Sequence, residues 1–193
     1  IEWFPSIARA FLDQYPKIDL KLLCIDDEEE LVNAVWEGRA DCAFSIAPER
    51  RNLEAVPLHT DPLLVVLPPD HPLAGAPFFP TEALAREPYV QLQGNARPSA
   101  MEALFEANGV TPNVRFTVDS DYAVMSMVSA GLGFSVLPSL ILSRPLFPLA
   151  VLPAERECSR SISLAVRSRD TASAATRAFA EVTREWVAER YGT

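Results

Sequence analysis

Cysteine, histidine and basic side chains are scarce in this sequence, and no apolar run is long, so several classes of function fall away before any motif is read. Cys24, Cys42 and Cys158 are odd in number and far apart, with no Cys-x-x-Cys pair. Only His59 and His71 stand as imidazole partners, so no metal ligand set forms, and the cysteines read as reduced core thiols of a cytosolic protein. Neither histidine has a serine or cysteine partner at an interpretable spacing, which leaves no nucleophile and base for an enzyme. Nothing calls for a cofactor. Gly131-Leu132-Gly133 lacks a third glycine and ends a helix instead of opening one, so it is no phosphate loop. Lysine plus arginine number 17 against 26 aspartate plus glutamate, a net charge of −9. A chain so acidic is not expected to grip DNA by itself. No apolar run approaches the roughly 20 residues that span a bilayer. The chain also opens without the basic and apolar regions of a signal peptide, so neither membrane nor export is expected.

What is present is a globular balance, 49% hydrophobic and 22% charged, enough for one large domain or two small lobes. The most organised stretch runs from Val118 to Pro138. Asp119, Ser120 and Asp121 offer oxygens to a helix start, and Val124, Met125, Val128 and Leu132 form an apolar stripe at helical spacing. Gly131 and Gly133 suit the left-handed turn that stops a helix, and Phe134 to Leu137 reads as a buried strand closed by Pro138. A helix start at the end of a strand is either an ordinary α/β unit or a place where small ligands bind, because free N–H groups point outward there.

The rest of the chain repeats this alternation. Ile7, Phe11 and Tyr15 form a helical stripe stopped by Pro16, and Ile18 to Ile25 reads as a strand. Asp26 and Asp27 cap the next helix, whose first turn carries Glu28, Glu29 and Glu30 and whose apolar side is Leu31, Val32, Val35 and Trp36. Cys42 to Ile46, Leu53 to His59 and Leu63 to Leu67 are extended. Pro68-Pro69-Asp70-His71-Pro72 continues neither strand nor helix and suggests a lobe boundary. Helices around 81–85 and 101–108 flank a strand at Tyr89 to Gln93. Val114 to Val118 feeds the organised stretch, two strands near 149–152 and 162–166 follow, and an amphipathic helix through Phe179 and Trp186 comes last. Alternation of this kind implies parallel sheets with helices on both faces.

Taken together, FLDQYP (11–16), ELVNAVWEGRAD (30–41), LLVVLPPDHPL (63–73) and MVSAGLGFSVLP (127–138) resemble the effector-binding domain of LysR-type transcriptional regulators, in their order and spacing over essentially the whole chain. The resemblance implies an α/β fold similar to type 2 periplasmic binding proteins: two Rossmann-like lobes with mainly parallel sheets, joined by two crossover strands. Residues 1–65 and 142–193 would form lobe I and residues 66–141 lobe II. It also implies a small-molecule effector in the interlobe cleft, a homodimer, a cytoplasmic location, and contact with DNA only through an amino-terminal helix-turn-helix domain absent from this chain. The family's opening strand, whose loop often contacts ligand, has no counterpart before Trp3-Phe4-Pro5. A solute-binding protein of a transport system is the alternative on the same fold.

The resemblance also nominates a ligand site. Asp26, Asp27 and Glu28 come from lobe I, where Glu28 takes a position usually held by serine or threonine. It either favours a cationic ligand or is a solvated first-turn acid. Gln93, Asn95 and Arg97 come from the matching loop of lobe II, where Arg97 either holds a carboxylate or lies on the surface. Asp119 and Ser120 stand at a helix start, with Ser120 either reaching the ligand or capping the helix. Phe134 either lines the cleft wall or fills the core. Asp41 reads as structural.

Overall fold

The computed structural model describes residues 3–47, 51–93 and 100–192. The chain divides into two compact units, residues 1–60 with 161–193 and residues 61–160. The sequence placed these divisions at 65/66 and 141/142. The shift arises because the chain passes from one unit to the other inside regular strands, which carry no local turn signal.

In the first unit, α1 (Phe4–Gln14) buries Ile7 and Phe11 and ends against Tyr15. Phe11 meets Phe179 edge-on at 5.2 Å between ring centroids, which seats α1 on the last helix, α6 (Ala174–Tyr191). Trp3, 1% exposed, lies against Trp186 and Tyr191, and its indole N–H donates to the Tyr191 hydroxyl at 2.9 Å. Ser173 caps α6 by accepting from the Thr176 amide, and Gly192 closes it in the left-handed conformation. The second helix, α2 (Glu28–Trp36), turns Val32 and Val35 inward and leaves Trp36 half exposed. Strand β1 (Cys42–Ser45) runs antiparallel to the last strand, β7 (Cys158–Val166), from Cys42 opposite Val166 to Ser45 opposite Ser163.

Ile18 to Ile25, expected as a strand, has no regular structure and joins no ladder among the described residues. Leu22 and Leu23 there are exposed, since no neighbouring strand covers them. The two segments read separately at 53–59 and 63–67 form one 14-residue strand, β2 (Glu54–Leu67), despite Pro57 and Pro62. Its ladder to β5 begins only at Leu63, just past the second proline, which has no N–H to donate.

In the second unit, the far half of β2 pairs antiparallel with β5 (Ser135–Pro138) and β6 (Ala150–Leu152). Parallel pairing joins β3 (Pro88–Leu92) to β4 (Asn113–Val118), with a parallel bridge from Tyr89 to Phe134. Around them lie α3 (Thr81–Arg86), α4 (Ala100–Asn108) and α5 (Asp121–Ser129). No side chain of Pro80 can cap α3. The Glu155 carboxylate does so instead, accepting from the Thr81 amide at 2.9 Å, and this bond holds its pKa below the usual carboxylate range. Phe79, Tyr89, Phe105 and Phe134 form an aromatic core with ring centroids about 5 to 6.5 Å apart. Asp61, wholly buried, accepts from the Ser139 hydroxyl, the Leu140 amide and the Arg160 guanidinium.

All three cysteines are free, so Cys24 and Cys42 do not bridge. Burial, reinforced by the Asp41 charge, pushes the Cys42 thiol up to about 12. Its thiolate fraction at pH 8 is then on the order of 10⁻⁴. Ellman's reagent at pH 8 should therefore label exposed Cys24 roughly 100-fold faster than Cys42 in the native protein. Equal rates would contradict the burial.

Candidate functional site

The candidate residues stand at two helix starts, one in each unit. In the first unit, Asp27 is extended and accepts from the Glu30 amide at 2.7 Å, so its carboxylate is the N-cap of α2. Glu28 turns toward the segment that leaves β1. Its Oε1 accepts from the Ser45 hydroxyl and, at 3.2 Å each, from the amides of Ile46 and Ala47. The Ser45 hydroxyl oxygen in turn accepts from the Ala47 amide at 3.1 Å. Glu28 is thus not a loose arm: three donors hold its Oε1 at the end of β1. Asp26 is exposed and makes no described hydrogen bond. Ser45, Ile46 and Ala47 were missed as partners. Their signal was slight, a serine closing the apolar run of β1.

In the second unit, the parallel strands β3 and β4 end side by side, and the Gln93 amide donates to the Val118 carbonyl at 2.6 Å. That bond sets Gln93 beside Asp119 and Ser120, just before α5 begins. Ser120 is extended at the N-cap position, yet its hydroxyl makes no capping bond. A helix start at the carboxyl ends of parallel strands, with an uncommitted hydroxyl beside it, can offer hydrogen bonds to a polar ligand. Asn95 and Arg97 lie outside the described residues.

Phe134 requires a correction. It is 0% exposed, enclosed by Phe79, Tyr89 and Phe105, and has no face left for a ligand. The cause is its backbone: the Phe134 amide donates to the Pro88 carbonyl at 2.9 Å and its carbonyl accepts from the Val90 amide at 2.8 Å, which stitches the residue to β3.

Each unit also has a cavity away from these residues. The larger, about 580 Å³, is lined in the first unit by residues including His59, Thr60, Ile162 and Glu185. The smaller, about 260 Å³, lies in the second unit against Tyr89, Met101 and Phe105. Neither includes any nominated residue. The histidines have structural surroundings: His71 Nδ1 accepts from the Leu73 amide, which leaves Nε2–H to donate to Glu87 at 2.9 Å, and His59 packs edge-on against Trp3 and tilted against Tyr191. Among the described residues no three histidine, cysteine or carboxylate side chains gather as metal ligands, and no helix is long and apolar enough to cross a membrane.

Residues 1–188 match the family described as the LysR substrate binding domain. The chain belongs to that family. A LysR substrate-binding domain is an α/β fold of the type 2 periplasmic-binding-protein kind. Among curated proteins, the chain is 30% identical over 189 residues to the uncharacterized HTH-type transcriptional regulator YvbU of Bacillus subtilis. That match covers 95% of the chain and 62% of the regulator, so this LysR domain spans less than two thirds of its relative. Among solved structures it is similar to HinK, a LysR family transcriptional regulator from Pseudomonas aeruginosa, with a TM-score of 0.82 and 27% identity over 95% of this chain and 66% of that one. The regulatory domain of CcmR from Synechocystis, solved in complex with 2-PG, shares the fold with a TM-score of 0.82 and 24% identity over 96% of this chain and 91% of that one.

Proposed function

We propose that this LysR substrate-binding domain takes up a small-molecule effector at the start of α5, with Gln93, Asn95, Arg97, Asp119 and Ser120 as contacts; Asp26, Asp27 and Glu28 at the start of α2 are a second candidate set. The observation that carries this is Ser120, whose hydroxyl stands at a helix start without capping it, beside the ends of β3 and β4. That the same fold holds a small ligand in the Synechocystis regulatory domain supports a binding role. Binding proceeds without turnover. In a longer cytoplasmic regulator, acting as a homodimer, the bound effector changes how a helix-turn-helix segment engages DNA.

The charge at the two helix starts narrows the effector. Glu28 Oε1 is held by three donors with Asp26 and Asp27 beside it in sequence, and Asp119 and Asp121 stand at the start of α5. An effector with a carboxylate must therefore rely on Arg97 and the α5 amides. One with an amine would use Glu28. A thermal-shift screen of amino acids, aromatic acids and amines finds the effector, since a ligand at 100 times its Kd adds about 2.7 kcal/mol. With a carboxylate hit, calorimetry should show Arg97→Ala weakening binding about 10- to 100-fold and Ser120→Ala about 5- to 10-fold. With an amine hit, Glu28→Gln should cost more than Arg97→Ala. Unchanged affinity in all three variants would place the site elsewhere.

A further inference from the structure

The chain leaves the first unit after Thr60 and returns to it after Arg160. The residues on the far side of each crossing, Asp61 and Arg160, are partners. Arg160 Nε donates to Asp61 Oδ2 at 3.0 Å, and its Nη2 stands 2.9 Å from the same oxygen as an ion pair. The other oxygen, Oδ1, accepts from the Ser139 hydroxyl at 2.7 Å and the Leu140 amide at 3.1 Å. Asp61 has no solvent exposure and the Arg160 side chain is 22% exposed. A buried carboxylate with three hydrogen bonds and an ion pair is compensated, and loss of one partner leaves charge without water to solvate it.

Backbone chemistry makes this pairing matter more. Pro57 and Pro62 stand on either side of the first crossing, and neither offers an N–H to a neighbouring strand. The Pro62 carbonyl accepts from the Ser139 amide at 2.8 Å, so the segment after β5 serves the crossing twice, through its backbone and through the Ser139 hydroxyl. β2 and β7 are themselves hydrogen-bonded neighbours in one sheet, and the side-chain bonds of Asp61 add to that ladder at the crossing.

We propose that Asp61 and Arg160 are positioning residues that latch the two crossings to each other and to the start of the Ile141–Ser143 turn, so that the strands β2 and β7 enter the first unit as one stiff pair. The latch is a local device. It stands whether or not the effector site is placed correctly, and its test needs no effector.

Hydrogen exchange of the intact chain tests it, with Arg160→Met as the main variant. The expected result is at least 10-fold faster exchange confined to residues 58–64, 139–142 and 158–163. Amides of the second unit's core, in 89–92 and 124–128, should keep their protection. Uniform acceleration across residues 61–160 would show that the pair only adds stability and would overturn the latch, as would unchanged exchange at the crossings. Should Arg160→Met fail to fold, Ser139→Ala removes a single neutral donor and is expected to give the same confined pattern at about 3- to 5-fold; no confined change there would overturn the proposal. In the double variant Asp61→Asn with Arg160→Met, exchange at the crossings should be no faster than in the worse single variant, because both remove one interaction. Additive acceleration would mean the two residues act separately.

Discussion

Replacing Gly133 by alanine is expected to destabilise the protein by about 3 kcal/mol or more. Gly133 has φ +147°, a conformation nearly closed to residues with a side chain, and a Cβ built there would lie 2.2 Å from the Pro88 carbonyl oxygen and 2.9 Å from its carbon. Pro88 cannot simply retreat. Its carbonyl accepts from Phe134, and the next bond, from Val90 to the Phe134 carbonyl, aligns β3 with the strand that follows α5. Relief of the clash thus breaks the stitching that holds Phe134 in the aromatic core. Urea melts should show Tm and midpoint both reduced, the Tm by roughly 6 to 12 °C. Gly131 is the control: at φ +80° but with nothing within 4 Å of a built Cβ, its change to alanine should cost only about 1 kcal/mol. Similar losses for the two variants would show that the close approach to Pro88 is not the cause.

Trp3→Ala should be comparably damaging, about 3 to 5 kcal/mol. Trp3 is 1% exposed, and its ring touches those of His59, Trp186 and Tyr191. The substitution leaves a cavity where α1 meets α6 and strips the Tyr191 hydroxyl of its donor. Tryptophan emission should also shift to the red, because of the two tryptophans that remain Trp36 is 49% exposed and Trp186, half-buried, loses Trp3 as its neighbour. Trp36→Ala is expected to cost under about 1 kcal/mol. A Trp3→Ala protein that melts like wild type would mean that α1 is not anchored through this ring.

The elements with strong local signals were legible in the sequence. Acidic caps and a helical stripe place α5 at Asp121–Ser129 and α2 at Glu28–Trp36, both close to where the residues predict them. Long-range facts were not legible. The segments read separately at 53–59 and 63–67 run on as one strand through Asp61, which meets Ser139 and Arg160, far away in sequence, and no local pattern announces such partners. Ile18 to Ile25 has the composition of a strand, but a ladder needs a neighbour, and none pairs with it among the described residues. Part of the candidate site was legible as well: the helix starts at Asp27 and Ser120 follow from short polar residues ahead of apolar stripes. That Asp27 caps while Ser120 does not, and that Glu28 is taken up by Ser45 and two amides, depends on atoms brought together by folding. Phe134 shows the opposite error, in which a family position suggested a wall and the aromatic core claimed the ring.

The order in which the polypeptide leaves the ribosome acquires a consequence from α1 resting on α6. Phe11 finds Phe179, and Trp3 finds Trp186 and Tyr191, only after some 170 further residues have been made. At 5 to 20 residues per second, that is a wait on the order of ten seconds or more. Residues 61–160 need no such partner, since Asp61 and Arg160 bracket a unit whose described core is contained between them. The inserted unit can therefore mature first, while α1 stays apolar and uncovered on the nascent chain. Any chaperone that attends synthesis would find its longest-lived target there, at Ile7 and Phe11.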